Sequence, residues 1–127
     1  MSIAVNWGDP DRTTLQLTFE RGWTWENLKQ AIAQADMLIE AAGHTVHLII
    51  DLRGGGGVPR DFLTAAGDLF AQGEARPNEG TRVIVGAGVL LRGAYRSLQA
   101  LYGTQLAERP FLFAASPDEA QQLIAAR

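Results

Sequence analysis

Thr45-Val-His-Leu-Ile-Ile-Asp-Leu-Arg-Gly-Gly-Gly-Gly-Val-Pro-Arg-Asp-Phe62 is the stretch that decides the fold. Val46 to Ile50 is short, β-branched and apolar almost without interruption. Such a run suits a strand covered on both faces, as in a parallel sheet. Asp51 stands where that strand is expected to end, and Gly54 to Gly57 then give the backbone the freedom of a turn. Pro59 suits the first turn of a following helix, where its missing N–H removes no hydrogen bond. In open α/β sheets, ligands and partners sit off the carboxyl ends of the strands. The turn from Asp51 to Arg60 is therefore the first place to look for function.

Working outward, the chain alternates strands and helices. Ile3–Trp7 and Thr14–Phe19 carry apolar residues with period two, and Gly8-Asp-Pro-Asp-Arg12 between them is turn chemistry. Together they predict a hairpin. Thr24 suits an N-cap for a long helix with Leu28, Ile32, Ala35, Ile39 and Ala42 on its apolar face, and Gly43 suits the C-cap. Phe62, Ala66, Leu69 and Phe70 predict a helix after the glycine turn. Arg82–Gly86 is the next buried strand. Leu91, Ala94, Tyr95, Leu98, Leu101 and Tyr102 outline a third helix, with Arg92 and Arg96 on its wet side. Phe111–Ala114 is a last strand, and Ser116-Pro-Asp-Glu119 is a capping box with proline at the first helical position. The predicted order is β-β-α-β-α-β-α-β-α: one α/β domain over residues 1–127, a mixed, mostly parallel sheet with helices packed on it.

Composition narrows the function. At 127 residues, with 46% hydrophobic and 20% charged side chains, the chain can bury a core without metal or disulfide support. The net charge of -3 argues against a nucleic-acid partner, which calls for a basic face. Cysteine is absent, so thiolate metal sites and a cysteine nucleophile drop out. No secretory signal pattern opens the chain and no apolar run reaches the ~18 residues of a membrane span, so a cytoplasmic protein is expected.

The chemistry-bearing residues do not assemble into a known catalytic pattern. Gly54, Gly55, Gly56 and Gly57 suit a backbone nest for an anion, flanked by Arg53 and Arg60. The segment is neither a Walker A loop nor a dinucleotide fingerprint, and its plainer reading is a turn. Asp51 lacks the neighbouring acid and the later lysine of a phospho-acceptor site, since Lys29 is the only lysine. It is expected to bind loop amides or pair with an arginine. His44 and His47 do not converge on a metal, and no serine stands in a nucleophile elbow. Trp25 reads as packing, and Trp23 is open to packing or contact. No enzyme and no cofactor are expected.

The Gly22-Trp-Thr-Trp-Glu-Asn-Leu28 helix entry, the Leu48-Ile-Ile-Asp-Leu-Arg53 strand, the Arg82-Val-Ile-Val-Gly86 strand and the element order resemble a SpoIIAA-like protein of the STAS group. The resemblance covers nearly the whole chain. It implies a non-enzymatic regulatory or protein-interaction module. In the anti-sigma-factor antagonists of that group, a serine just after this strand is phosphorylated and controls docking of a partner kinase. Here no serine or threonine lies between Thr45 and Thr64, so that switch does not carry over. The expected partner is a protein. A carrier or sensor of a small apolar or anionic ligand at the glycine turn is the alternative, and a homo-oligomer is compatible with the sequence. The candidate binding residues are Asp51, Arg53, Gly54, Gly55, Gly56, Gly57 and Arg60.

Overall fold

The computed structural model describes residues 3–55, 78–86, 93, 96 and 111–126. Within them the order is β1 (Ile3–Trp7), β2 (Thr14–Glu20), α1 (Trp25–Ala42), β3 (Val46–Gly54), β4 (Glu79–Val85), β5 (Phe111–Ala114) and α2 (Pro117–Ala125). The helix expected from Pro59 through Phe70 lies outside the described residues. Of the third expected helix, Gly93 and Arg96 are described, and both are helical and exposed.

The five strands form one sheet in the order β1-β2-β3-β4-β5. β1 runs antiparallel to β2, and every later neighbour is parallel. β3 is therefore the central strand, as suits its nearly continuous apolar run from Val46 to Ile50. Side chains alternate across the sheet, and registered parallel partners share a face. Leu15 beside Leu48 and Leu17 beside Ile50 point to the α1 side. Their core joins Ile3, Phe19, Ala31, Ala35, Ile39 and Val46. Ile49 beside Val83, and Val83 beside Leu112, point to the opposite side, where Val85, Ala114 and Ala120 of α2 complete a second core. Strands buried on both faces cannot alternate in polarity, which is why β3 and β4 read as continuous hydrophobic runs.

The helix ends follow local chemistry. Thr24 accepts from the Asn27 amide at 3.1 Å, and Asn27 Oδ1 accepts from the Thr24 amide at 2.9 Å, a reciprocal capping box. Gly43, at φ +71°, ends α1 in the left-handed region. Asn78, just before β4, adds a clasp, donating to the carbonyls of Ile39 at 2.6 Å and His44 at 2.9 Å. Ser116 caps α2 by accepting from the Glu119 amide, but Glu119 reaches past Ser116 to accept from the Ala115 amide at 3.2 Å. The expected box is thus shifted by one residue.

Two sequence expectations change. The face of α1 turned to the sheet carries Ala31, Ala35 and Ile39, with Ile32 only half-buried on its shoulder. Small alanines allow the helix to lie close to the strands. β3 also continues past Asp51 to Gly54, so Asp51 is a strand residue with its side chain turned inward.

Candidate functional site

At the carboxyl end of β3 the ladder is irregular. Thr18 pairs with Asp51, but Glu20 pairs with Gly54, leaving Leu52 and Arg53 opposite Phe19 alone. This is a β-bulge, which kinks a strand and releases backbone groups from the ladder. The Arg53 amide turns to Asp51 Oδ1 at 3.1 Å. The guanidinium follows it: Nε donates to Oδ1 at 3.0 Å and Nη2 to Oδ2 at 2.8 Å. One carboxylate thus receives three bonds from a single residue.

The two partners live in different surroundings. The Asp51 side chain is 5% exposed, whereas that of Arg53 is 51% exposed. A buried carboxylate needs a charged partner or several donors, and here it has both. Hydrogen bonding from Arg53 holds the Asp51 carboxyl below its ordinary value against the opposing pull of burial. The expectation that Asp51 binds loop amides or pairs with an arginine describes this arrangement. The guanidinium is consequently fixed in direction while one side of it stays open to solvent.

Glycines make room for the pair. Gly86 follows β4 at φ +78°, and a Cβ there would lie 2.5 Å from Arg53 Cγ. Side chains at Gly54 and Gly55 meet similar obstacles. A Cβ on Gly54 would lie 2.8 Å from the Phe19 carbonyl oxygen, and one on Gly55 would lie 3.2 Å from Phe19 Cβ and 3.3 Å from Trp23 Nε1. These glycines are there for close packing of the turn, which the Gly55 amide closes on the Leu52 carbonyl at 3.0 Å. Trp23 stands over them. It meets Phe19 edge-on at 5.1 Å and Trp25 edge-on at 5.3 Å, an arrangement favoured by the ring quadrupoles.

No family model, curated protein or solved structure matches this chain. The site must therefore be read from its own chemistry. Of the residues singled out in the sequence, Asp51, Arg53, Gly54 and Gly55 are brought together here. Gly56, Gly57 and Arg60 lie outside the described residues. Among the described residues, no three histidine, aspartate or glutamate side chains gather as a metal site would need, and no helix is long and apolar enough to cross a membrane. A cavity of about 110 Å³ lies against β1 and α1, lined by Ile3, Asn27, Gln30, Ala31 and Gln34.

Both histidines lie at the amino ends of the parallel strands and serve structure. His44 Nε2 donates to the Arg12 carbonyl at 2.8 Å, tying the hairpin turn to the end of α1. Opposite His47 the ladder has a second bulge, because Val46 pairs with Glu79 while Leu48 pairs with Arg82. The Thr81 amide donates to His47 Nδ1 at 2.9 Å, and a Cβ on Gly80 would collide with the imidazole. Both bulges obey one rule: an amide released from the ladder is taken up by a side chain on β3. Sequence reasoning missed Gly86, Gly80 and Asn78. Their partners are 33 or more positions away, and no local pattern announces such contacts.

Proposed function

We propose that this chain is a non-enzymatic docking module of the SpoIIAA-like kind, one that lacks the phosphorylation switch. A protein partner would bind across the carboxyl ends of β2 and β3, around Arg53, Gly54 and Trp23. What supports the family reading is the sequence resemblance, set on a mixed α/β sheet whose described elements run β-β-α-β-β-β-α.

The observation that carries the reading is the Asp51–Arg53 pair. A buried carboxylate holds a half-exposed guanidinium in one orientation, so its remaining donors are set before a partner arrives. Arginine fixed in this way loses little further freedom on binding and is common at interface hot spots. The same pairing weakens the case for a free anion, because Asp51 already balances the charge of Arg53. A partner offering acceptors to Arg53 and apolar surface to Trp23 gains more from this place. With no hydroxyl between Thr45 and Thr64, docking would be constitutive.

The test uses Arg53→Glu and Glu20→Arg, both exposed at this end of the sheet. Gly55→Trp is a poor probe, since Gly55 is buried against Phe19 and Trp23. Partners captured by the native protein should be lost from Arg53→Glu while its circular dichroism is unchanged. If both folded variants capture the same proteins as the native chain, the site lies elsewhere. Incubation with an anti-sigma kinase should leave residues 45–64 unmodified, as mass spectrometry would read.

A further inference from the structure

We infer that two copies of this chain associate through β1, antiparallel across a two-fold axis at Val5, extending each sheet into the other. This surface is the outer edge of β1, one strand away from the Arg53 site: β1 is the outermost strand of the order, and among the described residues no strand pairs with its free edge.

The ladder shows which groups the edge offers. Gly8 and Thr14 continue the β1–β2 register, and the Gly8 amide donates to the Thr14 carbonyl at 2.7 Å. Antiparallel pairs alternate between bonded and unbonded positions. Asn6 and Ala4 therefore bond to β2, while Ile3, Val5 and Trp7 turn their N–H and C=O groups outward. Among the described residues, nothing blunts this edge. Ile3–Trp7 contains no charge and no proline, and its register with β2 is regular from end to end. Protective edges usually carry one of those devices.

Register selects a second copy as the occupant. With Val5 facing its own mate, Trp7 of one copy falls opposite Ile3 of the other, on the α1 side of the sheet. Ile3 is the floor of the 110 Å³ groove whose other walls are Asn27, Gln30, Ala31 and Gln34. Each copy thus presents a half-buried tryptophan at one end of the strand and the groove at the other, which is the self-complementarity that a two-fold interface requires. Charge agrees. The groove is rimmed by neutral amides that both donate and accept, so its rim sets no like charges against each other despite a net charge of -3 on each chain. A strand pair alone falls short of the ~1,200 Å² that specific interfaces bury. The paired tryptophan–groove contacts are therefore needed to complete the interface.

Sedimentation of the full chain across micromolar to submillimolar concentration tests this. The native protein should pass from 13.7 kDa to twice that mass. Val5→Pro removes an outward N–H at an edge position where proline is tolerated, and should stay monomeric. Gln34→Lys, an exposed change on α1, should raise the dimer Kd more than about tenfold, and mixing it with Gln34→Glu should restore a heterodimer. A native protein that stays monomeric overturns the proposal, as does a dimer that Gln34→Lys leaves at native affinity. Should Val5→Pro fail to fold, the Gln34 pair decides alone. A monomer that instead takes up an unrelated extended peptide along β1 also overturns it.

Discussion

Asp51 and Arg53 are two residues apart, yet removing either one has a different consequence. Arg53→Ala leaves a buried carboxylate without its charged partner, whereas Asp51→Ala leaves a guanidinium that water can reach. Leaving a charge buried and unpaired is the costly case. Urea midpoints should therefore fall further for Arg53→Ala than for Asp51→Ala, and equal losses would mean that the carboxylate is hydrated. The pair also sets an acid limb. The carboxyl of Asp51 titrates lower in the folded chain than in the unfolded chain, so its contribution is complete above about pH 3.9 and is lost as pH falls below that value. His47 adds a second window. Burial lowers its pKa below 6.5, with Asp9 opposing, and Nδ1 must be unprotonated to accept from Thr81. Above pH 6.5 both states are neutral and this contribution is whole. As pH falls below 6.5 the unfolded chain takes up the proton first, and stability drops until the folded imidazole titrates too. Denaturation of His47→Phe should lack that upper step while keeping the lower one.

The elements differ in how openly the sequence declares them. Thr24, Gly43 and Ser116 act on neighbours within four residues, so their capping roles can be read locally. Thr24→Ala should cost about 1 kcal/mol in thermal unfolding, the usual loss for such a cap. β3 and β4 are equally legible, since only apolar β-branched residues satisfy two covered faces. Their bulges are not. The extra residue at Arg53 matters because Phe19 opposes it, and the one at Thr81 because His47 accepts its amide; neither fact is local. For this reason the local pattern puts the strand end at Asp51, whereas β3 runs on to Gly54. Gly86→Ala separates backbone strain from crowding at the site. It combines a φ of +78° with a Cβ 2.5 Å from Arg53 Cγ, so it should destabilise the fold and also displace the guanidinium. Moving the crowding partner away with Arg53→Ala should recover part of that loss in a double-mutant cycle. Full additivity would show that the strain at Gly86 is purely its own.

Across the whole molecule, stability should be graded along the sheet because its two cores are offset. The α1 core covers β1, β2 and the near face of β3, while the α2 core covers the other face of β3 with β4 and β5. Among the described residues of the two clusters, β3 alone contributes to both, so Ile49 and Val46, each fully buried, link two cores on opposite sides of the sheet. Replacing Ile49 by alanine should cost about 2–5 kcal/mol, the range for emptying a packed site that cannot collapse. Its effect should also spread to both cores, unlike that of a residue such as Ala120, which touches one. Hydrogen exchange reads this directly, since local opening spans everything from frayed edges to the global transition. In the native chain the amides of β3 should exchange slowest, and in dilute protein the outward Val5 amide should exchange faster than Ala4 and Asn6 on either side of it. Ile49→Ala should then speed exchange in β2 and β4 alike. Acceleration confined to β4 would mean that the two cores open independently and that β3 does not couple them.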